Sequence, residues 1–204
     1  KHGGACNGVK TEIRWVDAEC LTRENMSSKL ENCHGILVPG GFGMRAVEGM
    51  ILAAQFAREN QIPYLGICLG MQIAVMEFAR NVAGKSGAHS TEFVEDTPHP
   101  VIHLMEEQEG ISSKGATMRL GAYPCVLREG SRVQRAYGKK EIMERHRHRY
   151  EANNQYREEF TKMGLLPVGL SPDGRLLEMV ELAEHPWYVG TQFHPELKSR
   201  PNDT

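Results

Sequence analysis

Hydrophobic and polar positions along the first half of the chain follow a strand–helix–strand–helix order. An apolar run at 35–41 ends in glycines and predicts a buried strand and loop. Apolar residues then recur at helical spacing from 47 to 60, and a second buried strand is predicted at 62–67. Strong helix formers at helical spacing predict a helix at 69–79. This order favours parallel strands joined by right-handed helical crossovers.

The second half of the chain has a different pattern, with shorter runs and more turn residues. Loops with the acidic stretch 106–110 surround one predicted strand at 101–105. Short β-like runs divided by Gly, Pro and Asp follow at 118–127 and 165–182, with a helix at 154–163 and a last buried strand at 187–193. No repeat or linker interrupts residues 1–204. The pattern predicts one α/β domain with a central, mostly parallel sheet flanked by helices.

Composition narrows the classes of function. The 204 residues are 40% hydrophobic and 25% charged, with a formal net charge of -2. This balance argues against a nucleic-acid scaffold or a membrane-surface protein. No apolar run approaches the roughly 20 residues of a membrane helix, and no secretory leader pattern is visible. We therefore expect a cytoplasmic protein without nucleic-acid or membrane partners.

The cysteines indicate reducing conditions. Their number is odd, no C-x-x-C occurs, and they are irregularly spaced at Cys6, Cys20, Cys33, Cys68 and Cys125. A disulfide framework or a cysteine zinc site is not expected. One cysteine in a special setting could be a catalytic thiol, the others being small core residues.

Cys68 has such a setting, between an apolar strand and an amphipathic helix, with Gly66 and Gly70 on either side. This is the thiol counterpart of the G-x-S-x-G nucleophile elbow, a tight turn that presents the nucleophile above the sheet. The helix N-terminus would favour thiolate over thiol, and the N–H of Leu69 would point at a substrate oxyanion. The alternative is a buried structural cysteine in a glycine-rich turn.

His194 and Glu196 follow the last apolar strand, two residues apart, and so point to the same side of an extended chain. The imidazole could accept the Cys68 proton and later protonate a leaving amine, while the carboxylate orients the ring. A chance pair in an exposed turn is the alternative. The occurrence of both motifs in one α/β chain favours the catalytic interpretation.

A glycine-rich loop at 39–43 follows the first strand and could bring backbone N–H groups close to a substrate oxygen. It has neither the P-loop ending nor the G-x-G-x-x-G pattern, so an oxyanion-hole strut is favoured over a nucleotide site, with a plain turn as the alternative.

The run 145–151 has a His-x-His pair without a third ligand, and acidic neighbours. A metal or nucleic-acid site is therefore not favoured. A solvated charged strand or loop is one alternative; within an enzyme, an Arg of this run could instead clamp a substrate carboxylate.

Together these motifs resemble the class I glutamine amidotransferases, and among them the glutaminase domains of the CTP synthase family. The class I set corresponds to 39–43, 66–72 and 192–196. The narrower resemblance rests on further segments: Arg45 with 47–50, 90–93, 117–121, 145–151 and 185–187. The resemblance covers almost the whole chain and implies a flavodoxin-like fold with extra β hairpins.

The resemblance also implies roles for individual residues. The triad would be Cys68, His194 and Glu196, and the oxyanion hole would use the N–H groups of Gly41 and Leu69. L-glutamine would be held by Gln72, Glu92 and Arg149, where an acid suits the α-ammonium and an Arg suits the α-carboxylate. The reaction would proceed through a γ-glutamyl thioester and release ammonia.

The resemblance places the other activities outside these residues. Ammonia would pass to a synthetase domain that aminates ATP-activated UTP to CTP, with GTP as a possible activator. ATP, UTP and Mg²⁺ would bind there, so no cofactor or metal is expected in this domain. Homo-oligomers would form through that absent domain. The family pattern also has a strand and helix before residue 1 and a helix beyond residue 201.

Two other functions remain compatible with the motifs. One is a stand-alone class I hydrolase that cleaves γ-glutamyl amides, and the other is a non-catalytic docking module of the same fold. The segments 117–121 and 145–151 favour the glutaminase domain over the first. The presence of Cys68, His194 and Glu196 together counts against the second.

Overall fold

A computed structural model describes residues 1–104 and 118–201. The end of the predicted strand at residue 105, the acidic stretch 106–110 and Thr117 lie outside the described residues. Within them, no helix is long and apolar enough to cross a membrane.

Six α-helices and ten strands are described. The helices are α1 His2–Cys6, α2 Met26–Leu30, α3 Val47–Glu59, α4 Leu69–Asn81, α5 Arg132–Tyr137 and α6 Arg157–Lys162. The strands are β1 Ile36–Val38, β2 Tyr64–Ile67, β3 His89–Ser90, β4 Pro100–His103, β5 Arg119–Leu127, β6 Glu141–His148, β7 Glu151–Ala152, β8 Leu165–Leu170, β9 Leu177–Leu182 and β10 Tyr188–Thr191. Short 3₁₀ turns lie at Ala18–Cys20, Asn154–Tyr156 and Pro195–Leu197.

The central sheet has the order β1-β2-β10-β9-β8-β5-β6, and β3, β4 and β7 form a small second sheet. Strands β1 and β10 run parallel to β2, whereas the β10–β9, β9–β8, β8–β5 and β5–β6 pairs are antiparallel. The α/β fold with added hairpins is therefore confirmed. Within the central sheet, parallel pairing is confined to β1, β2 and β10. Strands β1 and β2 are joined by α3, and such a helical crossover is what lets neighbouring strands run parallel.

The sheet separates two apolar layers. In β10, Tyr188 packs into the layer built by α3, α4 and α6, and the next residue, Val189, packs into the layer that contains Val133 of α5. Successive strand residues point to opposite faces, which explains this division. Helix α4 is buried from Leu69 to Ala79. Its N-terminus is thus fixed firmly against the sheet.

Most predicted elements agree with the structure to within a few residues, including α3, β2, α4 and the β8–β9 hairpin. The interrupted runs expected at 118–127 are instead one continuous strand, β5, which pairs with β6 from Arg119–His148 to Val126–Glu141. Gly121 lies within this strand at a φ of 103°, so here the glycine bends the strand and does not end it. The expectation that the 35–41 run is buried is wrong at Leu37, which is 56% exposed on the edge strand β1.

We predict that Gly49→Ala destabilises the fold. Alanine is favoured over glycine in a helix by about 1 kcal/mol, but a Cβ on Gly49 would overlap the carbonyl oxygen of Ala18. The overlap should dominate and lower the free energy of unfolding by about 1–3 kcal/mol in denaturant titrations. The control is Gly3→Ala in α1, where an added Cβ meets nothing within 4 Å. Equal stability of the two variants would contradict the packing.

Candidate active site

Cys68 occupies the turn between β2 and α4, and its backbone is held in an unusual conformation. Its φ of 52° and ψ of -103° lie where side-chain-bearing residues are strained by about 1–3 kcal/mol. The flanking glycines are required, because a Cβ on Gly66 would overlap the carbonyl of Gly70, and one on Gly70 would overlap that of Val38. The Cys68 N–H donates to the carbonyl oxygen of Thr191 at 2.7 Å. The sharp strand–helix turn predicted from the glycine spacing is present.

The Cys68 thiol is almost enclosed, since the residue is 3% exposed. Burial raises the pKa of this thiol to about 12; the N–H of Leu69 lowers it, and the carboxylates of Glu196, Glu92 and Glu151 raise it further. The expectation that the helix N-terminus leaves a thiolate is therefore wrong for the resting site. A helix dipole contributes about 0.3–1 kcal/mol, less than the roughly 1.4 kcal/mol of one pKa unit. A base must remove the proton.

His194 and Glu196 lie next to each other as their spacing predicts. The Nδ1 of the His194 ring is 2.8 Å from Oε1 of Glu196. The backbone N–H of His194 donates to the backbone carbonyl of Arg145 at 2.8 Å. Because Nδ1 is engaged by the carboxylate, Nε2 is the nitrogen available for proton transfer. It is buried and makes no hydrogen bond within the described part of the chain.

Gly40 adjoins both the thiol-bearing residue and the imidazole. A Cβ at Gly40 would lie 2.6 Å from Cε1 of His194 and 3.4 Å from Cβ of Cys68. Only a glycine therefore fits between these two side chains. Gly41 follows directly, with its Cβ position 3.4 Å from Cδ2 of Leu69. The loop thus brings its backbone to the start of α4, as an oxyanion-hole strut requires.

The three residues assigned to glutamine binding have different surroundings. Gln72 is buried, and its Nε2 donates to the Tyr150 carbonyl at 3.1 Å and to Oε1 of Gln192 at 3.3 Å. Glu92 is part-buried and acts electrostatically on Cys68. The buried Nε of Arg149 makes no hydrogen bond within the described residues. An acid and an Arg donor are thus present for an amino acid, while the Gln72 nitrogen already has protein partners.

The charged run 145–151 is not simply a solvated strand or loop. Along β6, exposed and buried residues alternate strictly, so that Met143 is 46% exposed while His146 and His148 are each 2% exposed. Arg145 and Arg147 lie on the exposed side. The period of two expected for a strand thus overrides the polarity of the side chains.

The buried side of this run meets an ion cluster. Arg119 pairs with Glu178 at 2.9 Å and with Glu151 at 3.2 Å. His146 and His148 approach the same carboxylates at 3.7 and 3.5 Å. Burial raises the pKa of Glu151 to about 8 and lowers that of His146 to about 3 and that of His148 well below the ordinary value. Both imidazoles are therefore neutral, and Glu151 carries a proton at neutral pH.

The sequence alone did not predict three contacts of the site. One is the position of Gly40 between Cys68 and His194, and the other two are the polar groups that lie near Sγ of Cys68. The Arg147 carbonyl and Nε2 of Gln192 both lie 3.9 Å from Sγ. A backbone carbonyl has no sequence signal. The only available sign for Gln192 was a polar residue at the end of an otherwise apolar strand.

A strained cysteine elbow beside a His–Glu pair on an α/β sheet is the arrangement expected of a thiol acyl-transfer enzyme. Known proteins of similar sequence and structure agree with this class. A family model described as Glutamine amidotransferase class-I matches residues 1–204. The chain therefore belongs to the class I glutamine amidotransferase family.

More narrowly, the chain is similar to the glutaminase domain of CTP synthases. The glutaminase domain of the Trypanosoma brucei CTPS, solved with bound acivicin, superposes with a TM-score of 0.93 and is 39% identical, over 99% of this chain and 79% of that one. The CTP synthase of Carboxydothermus hydrogenoformans is 58% identical over 202 residues, and that of Caldanaerobacter subterraneus is 59% identical over 201. The two matches include 99% and 98% of this chain but only 38% and 37% of the length of those proteins.

We predict that Glu151→Gln changes how stability depends on pH. The folded state raises the pKa of Glu151 to about 8, so folding favours the protonated carboxyl. The resulting contribution to the free energy of unfolding is complete below the ordinary glutamic acid pKa and is lost as the pH rises from there to about 8. Glutamine stays neutral, so the variant should gain on the wild type between pH 5 and 8, by at most about 1.4 kcal/mol per pH unit.

Denaturant titrations at pH 5, 6.5 and 8 measure this difference. The control is Glu158→Gln, which removes an exposed carboxylate paired with Lys162 and should show no such gain. A Glu151→Gln stability difference that is flat with pH would show that Glu151 is ionised throughout this range.

Proposed function

We propose that this chain hydrolyses L-glutamine to glutamate and ammonia, with Cys68 as nucleophile. The observation that carries the proposal is that a Cβ on Gly40 would meet both Cys68 and His194, while Glu196 engages Nδ1 of the imidazole. This arrangement supports the roles of nucleophile, base and orienting acid that thiol acyl transfer requires.

The first half of the reaction forms a thioester. Nε2 of His194 takes the proton from Sγ while Glu196 stabilises the imidazolium, and the thiolate attacks the side-chain amide carbon of glutamine. The N–H groups of Gly41 and Leu69 receive the oxyanion. When the tetrahedral intermediate collapses, the C–N bond breaks and His194 returns its proton to the leaving nitrogen, which departs as ammonia.

The second half regenerates the enzyme. Water attacks the γ-glutamyl thioester as His194 takes its proton, and glutamate leaves as the C–S bond breaks and Sγ recovers the proton. Substrate orientation uses Glu92 for the α-ammonium and Arg149 for the α-carboxylate. The buried Nε of Arg149 without a partner in the described residues supports that role, because buried donors are ordinarily paired.

The length of the relatives supports a proposal for the use of the ammonia. The matched CTP synthases are more than twice as long as this chain, so we propose that a synthetase domain receives the ammonia and aminates UTP to CTP with ATP and Mg²⁺. GTP would act as an activator, oligomers would form through that domain, and the site would be cytoplasmic. No observation favours a stand-alone γ-glutamyl hydrolase or a docking module.

We predict that Cys68→Ala lowers glutamine hydrolysis by about 10³-fold or more, as expected for loss of a nucleophile. Ammonia and glutamate are measured for the chain alone and with the unmatched remainder of the Carboxydothermus hydrogenoformans protein supplied. Cys20→Ala, at an exposed cysteine, is the control and should retain activity. A wild-type chain inactive under both conditions, or a fully active Cys68→Ala, would refute the proposal.

We also predict that Gly40→Ala lowers kcat by about 10²-fold, because its Cβ would displace the His194 ring, and misplacement of about 1 Å costs this much. The control is Gly35→Ala, just before β1, where an added Cβ makes an ordinary 3.5 Å contact with the Pro63 carbonyl. Normal turnover by Gly40→Ala would show that the ring does not need this position.

A further inference from the structure

A continuous chain of buried hydrogen bonds leads from β6 to the sulfur of Cys68. We propose that Gln192 is a further catalytic residue, whose side-chain amide donates a hydrogen bond to the Cys68 thiolate. A relay through Gln72, the Tyr150 carbonyl, His148 and His146 holds this amide in orientation. This proposal rests on the function proposed above and adds to it a residue that stabilises the reacting sulfur.

The Tyr150 carbonyl sets the direction of the chain. A carbonyl oxygen only accepts, so the Gln72 atom 3.1 Å away must be the amide nitrogen. That nitrogen only donates, so the Gln192 atom 3.3 Å from it must be the amide oxygen. The Gln192 nitrogen is then the atom that faces Sγ of Cys68, at 3.9 Å. No other amide orientation leaves every contact between a donor and an acceptor.

The two histidines fix the same carbonyl from the other side. His148 Nδ1 lies 3.2 Å from the Tyr150 oxygen and must carry the hydrogen. Since burial lowers the pKa of His148 well below its ordinary value, the ring is neutral and its Nε2 accepts. His146 Nδ1, 2.9 Å away, therefore donates to it. With donors from Gln72 and His148, both lone pairs of the Tyr150 carbonyl are used and its position is fixed.

The contacts of Sγ differ between its two protonation states. As a thiol, it can donate to the Arg147 carbonyl at 3.9 Å. As a thiolate it loses that bond, faces the charges of Glu196 and Glu92, and needs donors. Hydrogen bonds to an ionised partner are about twice as strong as neutral ones. The Gln192 amide is thus a weak contact at rest that strengthens as His194 removes the proton.

The test uses Gln192→Met and Gln192→Glu in the whole chain. The first removes both polar atoms, and the second keeps the acceptor for Gln72 but places a carboxyl oxygen against Sγ. We expect each to lower kcat about tenfold, the change that corresponds to one pKa unit. We also expect Cys68 to react about tenfold more slowly with iodoacetamide from pH 7 to 10, as followed by mass spectrometry of its peptide.

The alkylation rate separates stabilisation of the thiolate from simple packing. A cavity or loosened core would expose the enclosed thiol and speed its alkylation. Unchanged or faster alkylation in Gln192→Met would therefore overturn the proposal, even if activity fell. The control is Tyr188→Phe at the start of β10, the strand that ends just before Gln192. The buried hydroxyl of Tyr188 makes no hydrogen bond in the described residues, so this variant should change neither rate.

The relay predicts coupling between its ends. His148→Phe should slow Cys68 alkylation in the wild type but add little in Gln192→Met, because the amide it orients is then absent. Fully additive effects would show that His148 does not act through Gln192. The alkylation experiments need no glutamine. An inactive wild type would thus refute the proposed function, while the alkylation rates decide the role of Gln192.

Discussion

The position of Cys68 at the start of α4, with a positive φ, is the constraint on which the rest of the site depends. Two features maintain this strained backbone. Gly66 and Gly70 let the backbone of α4 approach β1 and β2, and the Cys68 N–H donates to the carbonyl oxygen of Thr191. That last bond also fixes where β10 ends. Gln192, the residue after β10, thereby comes within 3.9 Å of the sulfur, and His194 follows two residues later.

Burial and activation oppose each other at this elbow. The enclosure that positions the thiol also raises its pKa to about 12, and a helix terminus cannot offset this alone. In the proposed mechanism the reactive state is therefore made during the reaction, by proton transfer to His194 and with the help of the donors assigned to the sulfur and the oxyanion. The site is organised for the charge that develops, which is where prearranged dipoles contribute most.

How much the sequence could predict depended on the range of the interactions. Helices α3 and α4, the tight turn at Cys68 and the His194–Glu196 contact follow from periodicity or spacing within a few residues. The contacts of Gln192 with Cys68 and of Gln72 with Tyr150 join residues 124 and 78 positions apart, so only the approach of β10 and of the segment between β6 and β7 to α4 could reveal them. For the 145–151 run, the residues left a solvated strand or loop and a substrate-clamping Arg as alternatives, and the burial of its two histidines emerges only from the folded strand β6.

The buried polar groups of the β5–β6 hairpin affect the electrostatic surroundings of the Cys68 sulfur. Buried ion pairs such as Arg119–Glu178 are costly to desolvate and contribute little net stability, so stability alone is a weak reason for them. Neutral His146 and His148 extend from this cluster as donors with a single direction. A charged group in their place would add its field to a thiol already facing the carboxylates of Glu196 and Glu92. A neutral relay orients the Gln192 amide while leaving the charge at the nucleophile to be set by His194.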